Sequence, residues 1–240
     1  MATYAVSDLH GCACFYHKIK ALLKPEDKVY FLGDAGDRGP QPWETIKLIA
    51  SDPQFIYMKG NHEDMLVSAM REFRDEQPDY YYHLLCRNGG MSTIQGWIDE
   101  GCNYGWIPRL RRLPTHLIHY REDGSKVYLS HAGYTPNGLD VIPEEEELLW
   151  DRSHFYVGWD DNAPNCYIVH GHTPIDYLAY EAYDCDPEQS GAVNYCEGRK
   201  FCIDAGCAFH GRCILFNLDT FESTVLTADF DEFGGVIIDF

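Results

Sequence analysis

Thr3-Tyr4-Ala5-Val6-Ser7-Asp8-Leu9-His10-Gly11 passes from a β-branched and aromatic run into an acid, an imidazole and a glycine. The run predicts a strand over residues 3–7, and Gly11 a turn just after it. Asp8 and His10 are then delivered together at the end of a strand. The same unit recurs downstream. Residues 15–23 place Phe15, Ile19, Leu22 and Leu23 at helical spacing and stop at Pro25, which predicts a helix. Residues 28–32 predict a second strand, ending in Gly33-Asp34-Ala35-Gly36-Asp37-Arg38-Gly39. Residues 40–51 read as a helix with Trp43, Ile46, Ile49 and Ala50 on one side. Residues 54–58 predict a third strand, ending in Gly60-Asn61-His62-Glu63, and residues 61–73 a further helix. This alternation implies a parallel sheet, whose ligands gather at the carboxyl ends of its strands. The polar pieces fall at those ends.

Residues 74–115 break the rhythm with Tyr80-Tyr81-Tyr82, Asn88-Gly89-Gly90, Gly101, Gly105, Pro108 and Pro114. They read as short helices and loops forming a cap near the site. Beyond them, strand-like runs cover residues 117–120, 126–130, 167–170, 200–203, 213–218 and 224–227. These predict a second, largely antiparallel sheet. The expected fold is α/β: a four-layer α/β/β/α sandwich of two mixed β-sheets flanked by helices. No linker, low-complexity tract or fixed-period repeat divides the chain. Residues 1–240 are expected to form a single domain with a cap-like insertion at about 74–115.

Composition narrows the function classes. At 240 residues and 45% hydrophobic content, the chain can bury a substantial core. Its formal charge of −19 opposes a sequence-independent grip on a nucleic-acid polymer, which needs a basic footprint. The same charge disfavours an anionic membrane surface, and no apolar run of about 18 residues spans a bilayer. The N-terminal residues carry no basic region and no apolar segment of signal length, so a cytoplasmic location is expected. The ten cysteines (Cys12, Cys14, Cys86, Cys102, Cys166, Cys185, Cys196, Cys202, Cys207, Cys213) then read as reduced thiols. None forms the paired knuckle of a structural zinc site.

Two later pieces complete the series, His131-Ala132-Gly133 and Gly171-His172-Thr173, each closing an apolar run. One Asp-X-His or Gly-Asp alone is an ordinary turn, one Asn-His an ordinary helix cap, and one histidine an ordinary core residue. Together, two carboxylates, one amide and three imidazoles suit two divalent ions a few Å apart. Metals of intermediate softness such as Mn²⁺, Fe or Zn²⁺ accept this mixed oxygen and nitrogen set, whereas Mg²⁺ prefers oxygen and water.

The series DxH, GDxxDRG, GNHE, HAG and GHT resembles the phosphoprotein-phosphatase family of calcineurin-like metallophosphoesterases, its bacterial and phage branch in particular. The match runs from about residue 4 to about residue 215. Motif order agrees, and so do the intervals of roughly 25 residues between the first three motifs. The resemblance implies that Asp8, His10 and Asp34 bind a first metal. Asp34 would bridge to a second metal, completed by Asn61, His131 and His172. It further implies that His62 is the general acid, Asp37 its orienting partner, and Arg38 and Arg152 the phosphate-binding residues. Ser7 replaces the glycine many relatives carry, and Gly36 a frequent valine; neither change removes a ligand.

These roles suit phosphoester hydrolysis. Two metals convert a bridging water to hydroxide near neutral pH and clamp the phosphoryl oxygens. A protonated His62 would donate to the departing alkoxide, with Asp37 keeping the imidazole oriented. Arginine matches phosphate oxygens bidentately. The expected function is a serine/threonine protein phosphatase with two divalent ions, Mn²⁺ first, acting on a phosphorylated protein or a small phosphoester. The alternative is a symmetric dinucleoside-tetraphosphate (Ap4A) hydrolase, for which Arg109, Arg111 and Arg112 offer a basic cap. A non-catalytic phosphate sensor is the third reading.

Overall fold

Along each strand, side chains alternate between two faces, and here both faces of the central strands are apolar. The computed structural model describes residues 1–134, 143–156, 158–159, 165–177 and 191–229. Its strands are β1 (Thr3–Val6), β2 (Lys28–Phe31), β3 (Phe55–Tyr57), β4 (His116–Tyr120), β5 (Lys126–Ser130), β6 (Cys166–His170), β7 (Val193–Tyr195), β8 (Lys200–Cys202), β9 (Arg212–Asn217) and β10 (Ser223–Thr227). The first sheet has the order β10-β9-β1-β2-β3 and the second β4-β5-β6-β8-β7. Val6, Val29, Phe31 and Leu215 face a helical layer. Ala5, Leu32, Val127, Leu129, Val169, Ile214 and Phe216 meet between the two sheets. Tyr128 and Ile168 face the opposite way, against Leu148 of a short outer helix. Each fully buried large apolar side chain of this kind contributes about 1.5–3 kcal/mol. The result is the expected sandwich of two mixed sheets between helices.

The helices are α1 (Ala13–Leu22), α2 (Pro42–Ser51), α3 (Asn61–Arg74), α4 (Tyr80–Arg87), α5 (Met91–Asp99), α6 (Trp106–Arg111), α7 (Glu145–Trp150) and α8 (Cys207–His210), with a 3₁₀ turn at Ser153–Tyr156. The parallel strands β1, β2 and β3 alternate with α1, α2 and α3 as the periodicity predicts. In the segment read as a cap, α4 and α6 pack on α3, and α5 packs on α2. Its buried Leu85, Ile94, Trp97, Ile107 and Leu110 join the same core as α1 and the first sheet.

The second half departs from expectation in two respects. Residues 213–218 and 224–227 do not extend the second sheet. They form β9 and β10, and β9 pairs antiparallel with β1. The physical reason is two-sided burial: Cys213 and Leu215 face the helices, while Ile214 and Phe216 face the other sheet. The second sheet is also less antiparallel than predicted, because β5, β6 and β8 run parallel. The edge strand β7 and the acidic α7 had no clear sequence signal. In α7, Glu145, Glu146 and Glu147 occupy the first turn, where the helix dipole favours negative charge.

The nine described cysteines form no disulfide; Cys185 lies outside the described residues. No helix among the described residues is long and apolar enough to cross a membrane.

Candidate active site

The loops after β1, β2, β3, β5 and β6 converge at one end of the two sheets. Their backbone is unusual. Asp8, His10, Asp34, Asp37, Arg38 and His172 all have left-handed φ, between 41° and 69°, where a β-carbon costs about 1 kcal/mol or more. Local bonds hold the turns: Asp8 N–H donates to the Gly33 carbonyl at 3.1 Å, His10 N–H to Asp34 at 3.0 Å and Gly11 N–H to Ala35 at 2.8 Å. The first two loops are thus tied together residue by residue. Gly60 has no room for a side chain, since a β-carbon there would collide with the Asp34 carboxylate.

Asp34 is the centre of the arrangement. Its Oδ2 lies 3.6 Å from His10 Nε2, 3.7 Å from His62 Nε2 and 3.4 Å from His131 Nε2. Its Oδ1 accepts the His62 backbone N–H at 3.0 Å. Asn61 Oδ1 sits 2.9 Å from His131 Nε2 and 3.1 Å from His172 Nδ1. Asp8 Oδ1 is 3.9 Å from His10 Nε2, and Asp8 Oδ2 takes the Ser7 hydroxyl and the His172 backbone N–H. All six residues expected as metal ligands therefore meet, and all are buried.

Two overlapping sets of ligand atoms emerge, His10–Asp34–His62 and Asp34–His131–His172, each within 4.8 Å. Asp34 is common to both. Asp8 Oδ1 and His172 Nε2 are buried without a hydrogen-bond partner, which is costly for a polar atom unless something else satisfies it. These unsatisfied atoms and the mixed carboxylate, amide and imidazole set fit divalent metal ions. Outer bonds fix the imidazole orientations, as metal sites require: His10 Nδ1 donates to the Gly36 carbonyl and His131 Nδ1 to the Leu32 carbonyl, both at 2.9 Å.

Electrostatics follow from burial and from Asp34. Burial would raise the Asp34 carboxyl, but the facing His131 and His62 outweigh it and hold it well below the usual range. Burial would lower His131, yet Asp34 overrides it and pushes the imidazole up to about 9. His62 likewise ends raised, because Asp34 and Asp37 outweigh its burial. His10 and His172 are driven well below the ordinary imidazole value, mainly by burial. Asp8 is raised, by burial and then by the neighbouring Asp34 charge against the lowering effect of His131.

His62 Nδ1 lies 2.5 Å from Asp37 Oδ2, and the Thr93 hydroxyl donates to the other Asp37 oxygen. Arg38 places Nη1 2.6 Å from His10 Nε2 and Nη2 3.1 Å from His62 Nε2. A guanidinium has no acceptor, so the Nε2 lone pairs of both His10 and His62 face Arg38 in the metal-free chain, and Arg38 has to turn away before His10 Nε2 can serve a metal or His62 Nε2 can carry a proton. Arg152 stands apart. It is exposed, follows α7, and acts on His172 through its charge.

Sequence reasoning missed several supports. Glu63 accepts from the Asp34, Ala35 and Gly60 N–H groups and from the Tyr57 hydroxyl, each at 2.8 Å. The signal for it is its position three residues after the N-cap Gly60, where a glutamate reaches back to the N-cap N–H, the glutamate half of a capping box. Thr93, from α5, gave no such signal. Asp204 is fully buried and raised well above the carboxylate range, by burial first and then by Asp8.

The defining pattern of calcineurin-like phosphoesterases matches residues 1–204. The chain belongs to the calcineurin-like phosphoesterase family. Among curated members, the chain is 30% identical to a symmetrical bis(5'-nucleosyl)-tetraphosphatase of Pseudomonas entomophila (strain L48), over 69% of this chain and 57% of that protein. It is 27% identical to serine/threonine-protein phosphatase 2 of Salmonella typhimurium, over 72% of this chain and 80% of that one. The chain thus spans little more than half the length of the tetraphosphatase it matches. A crystal structure of a metallophosphoesterase from Sphaerobacter thermophilus shares the calcineurin-like fold at a TM-score of 0.56 and 16% identity, covering 95% of this chain and 88% of that one.

Proposed function

We propose that this chain is a metal-dependent phosphoester hydrolase of the serine/threonine protein phosphatase type, formed as one domain with a cap at about 74–115 and working in the cytoplasm. Asp8, His10 and Asp34 would hold one divalent ion, and Asp34, Asn61, His131 and His172 a second, with Mn²⁺ the expected metal. When bound, such ions supply Lewis acidity that activates water and neutralises phosphoryl charge. Arg38 and Arg152 bind and orient the phosphate. Once Arg38 has turned from His62 to the phosphate, His62, its proton favoured by Asp34 and Asp37, would donate from Nε2 to the leaving alkoxide. That acid pair also argues against a mere phosphate sensor, which has no need of it.

The observation that carries the phosphoprotein reading is a cavity of about 410 Å³ between α4, α3 and α7. It is lined by Tyr80, Tyr81 and Trp150 together with Asp64, Glu145 and Glu146, and the Trp150 ring lies 6.2 Å from that of His172. An acidic, aromatic hollow beside the site suits a polypeptide better than a tetra-anionic polyphosphate. Arg109 does not supply the missing positive charge. It donates to the Ala50 carbonyl at the end of α2 and stacks over Trp106 at 4.6 Å.

The second reading is symmetric dinucleoside-tetraphosphate hydrolysis, favoured by the 30% identity to the Pseudomonas entomophila enzyme. A side-by-side assay of a phosphoserine peptide and Ap4A with Mn²⁺ decides between them. Higher kcat/KM on the peptide is expected, and a strong preference for Ap4A would overturn the phosphoprotein reading.

A further inference from the structure

Beside the candidate site, between β6, β7 and the 3₁₀ turn at Ser153–Tyr156, lies a buried polar chain that the proposed chemistry does not use. His154 and His170 are fully buried, and Tyr195 nearly so. The Tyr195 hydroxyl is 2.6 Å from His170 Nε2 and 3.1 Å from His154 Nδ1. The rings of His154 and His170 meet edge to face at 4.8 Å. Gly133, with φ of 82°, lies against both: a β-carbon there would come within 2.8 Å of His154 Cε1 and 3.0 Å of His170 Cγ.

The direction of the chain follows from which atoms can donate. The Gly171 carbonyl can only accept, so His170 Nδ1, 3.0 Å away, carries a proton. Neither ring has a carboxylate against it among the described residues, and the Lys200 ammonium, bonded to the His154 carbonyl at 2.8 Å, adds a nearby positive charge. Both imidazoles are therefore neutral. His170 Nε2 must then accept, and the Tyr195 hydroxyl donates to it. The Tyr195 oxygen keeps its lone pairs toward His154 Nδ1, 3.1 Å away. The Tyr195 and His170 protons both point toward the Gly171 carbonyl, one residue before His172. The other end is His154, two residues beyond Arg152, in a turn whose Ser153 and His154 N–H groups are bound by the Asp151 carboxylate.

We propose that Tyr195 is a positioning residue whose hydroxyl, held between His154 and His170, sets the Arg152 turn in place relative to the His172 loop. The strand β7 that carries it has no residue in the site itself. The chain acts as a brace between the arginine that binds phosphate and the loop that closes the metal centre. This rests on the roles proposed above for Arg152 and His172.

Tyr195→Phe, which removes one oxygen, tests it. Inorganic phosphate should inhibit about tenfold more weakly and KM for a phosphoester should rise in parallel, with Mn²⁺ binding by calorimetry weakened at one of two sites by about tenfold, the scale of losing an outer partner of a metal ligand. In an Arg152→Ala background the same change should add nothing to the phosphate effect, since residues acting through one another are not additive. A rescue comparison excludes simple packing. His154→Asn, whose amide N–H can donate to Tyr195, should keep more phosphate affinity than the similarly sized His154→Leu. Phosphate and Mn²⁺ affinities within twofold of the parent, or full additivity with Arg152→Ala, overturn the proposal. If Arg152→Ala alone leaves phosphate inhibition unchanged, the role of Arg152 fails first and the brace falls with it. If Arg152→Ala weakens phosphate and Tyr195→Phe does not, only the brace falls.

Discussion

His62 and Asp37 are joined nitrogen to oxygen at 2.5 Å inside a buried pocket, although 25 residues separate them. Asp37 is itself pinned by Thr93 from α5. The helices of residues 74–115 therefore support the His62–Asp37 pair from behind as well as bordering the site.

His62→Asn should leave bound metal unchanged and slow a phosphoserine peptide by about 100–1,000-fold. It should slow p-nitrophenyl phosphate far less, because nitrophenolate departs without a proton. Steady-state kinetics on the two substrates make the comparison; equal losses on both would refute the general-acid role.

Asp34→Asn should empty both metal positions, because Asp34 Oδ2 faces both sets of ligand atoms. Elemental analysis after gel filtration measures this directly. Two ions retained per chain would rule out bridging.

Glu63→Gln should destabilise the protein without touching any expected ligand. Its two carboxylate oxygens accept four bonds, and an amide nitrogen in place of either would face donors. Each unsatisfied buried donor costs about 1–3 kcal/mol, so the thermal midpoint should fall by at least about 5 °C. A midpoint within one degree of the parent would contradict this account.

The metal-free protein should lose stability as pH rises between 6.5 and 9. His131 is pushed from 6.5 up to about 9, because Asp34 outweighs the opposing effect of burial. A raised imidazole stabilises the fold fully below its unfolded value, and that contribution disappears as pH passes its folded value. Metal needs the deprotonated ring, so Mn²⁺ affinity should climb over the same window. Melting curves and calorimetric titrations at several pH values test both slopes. Mn²⁺ affinity independent of pH would exclude His131 as a ligand.

The first half of the fold was legible because its signals are local. Each of β1, β2 and β3 ends in its own glycine-bearing polar loop, so Asp8, Asp34 and Asn61 announce themselves within a few residues. The failures are long-range. Nothing near residue 213 says that β9 will pair with β1, some two hundred residues earlier. Thr93 meets Asp37 across 56 residues, and Tyr195 meets His154 across 41. A threonine in a helix and a tyrosine in a short edge strand look the same whether they brace a site or fill space. Glu63 was readable from its spacing after Gly60, but a capping residue conceals how many other donors it serves. Arg152 was readable as an arginine beside an acidic run; its separation from Arg38 was not.

Six site residues held at left-handed φ place activity and thermodynamic ease in opposition. Glycine would relax each of those turns, and at Asp8 or His172 it would also remove a buried atom that the metal-free chain leaves unsatisfied. At Asp34 and Asp37 the relief would be offset by the lost contacts with His131, His62 and Thr93. In the metal-bound state proposed above the two unsatisfied atoms would gain a partner, so metal should return at Asp8 and His172 part of the stability that their turns cost.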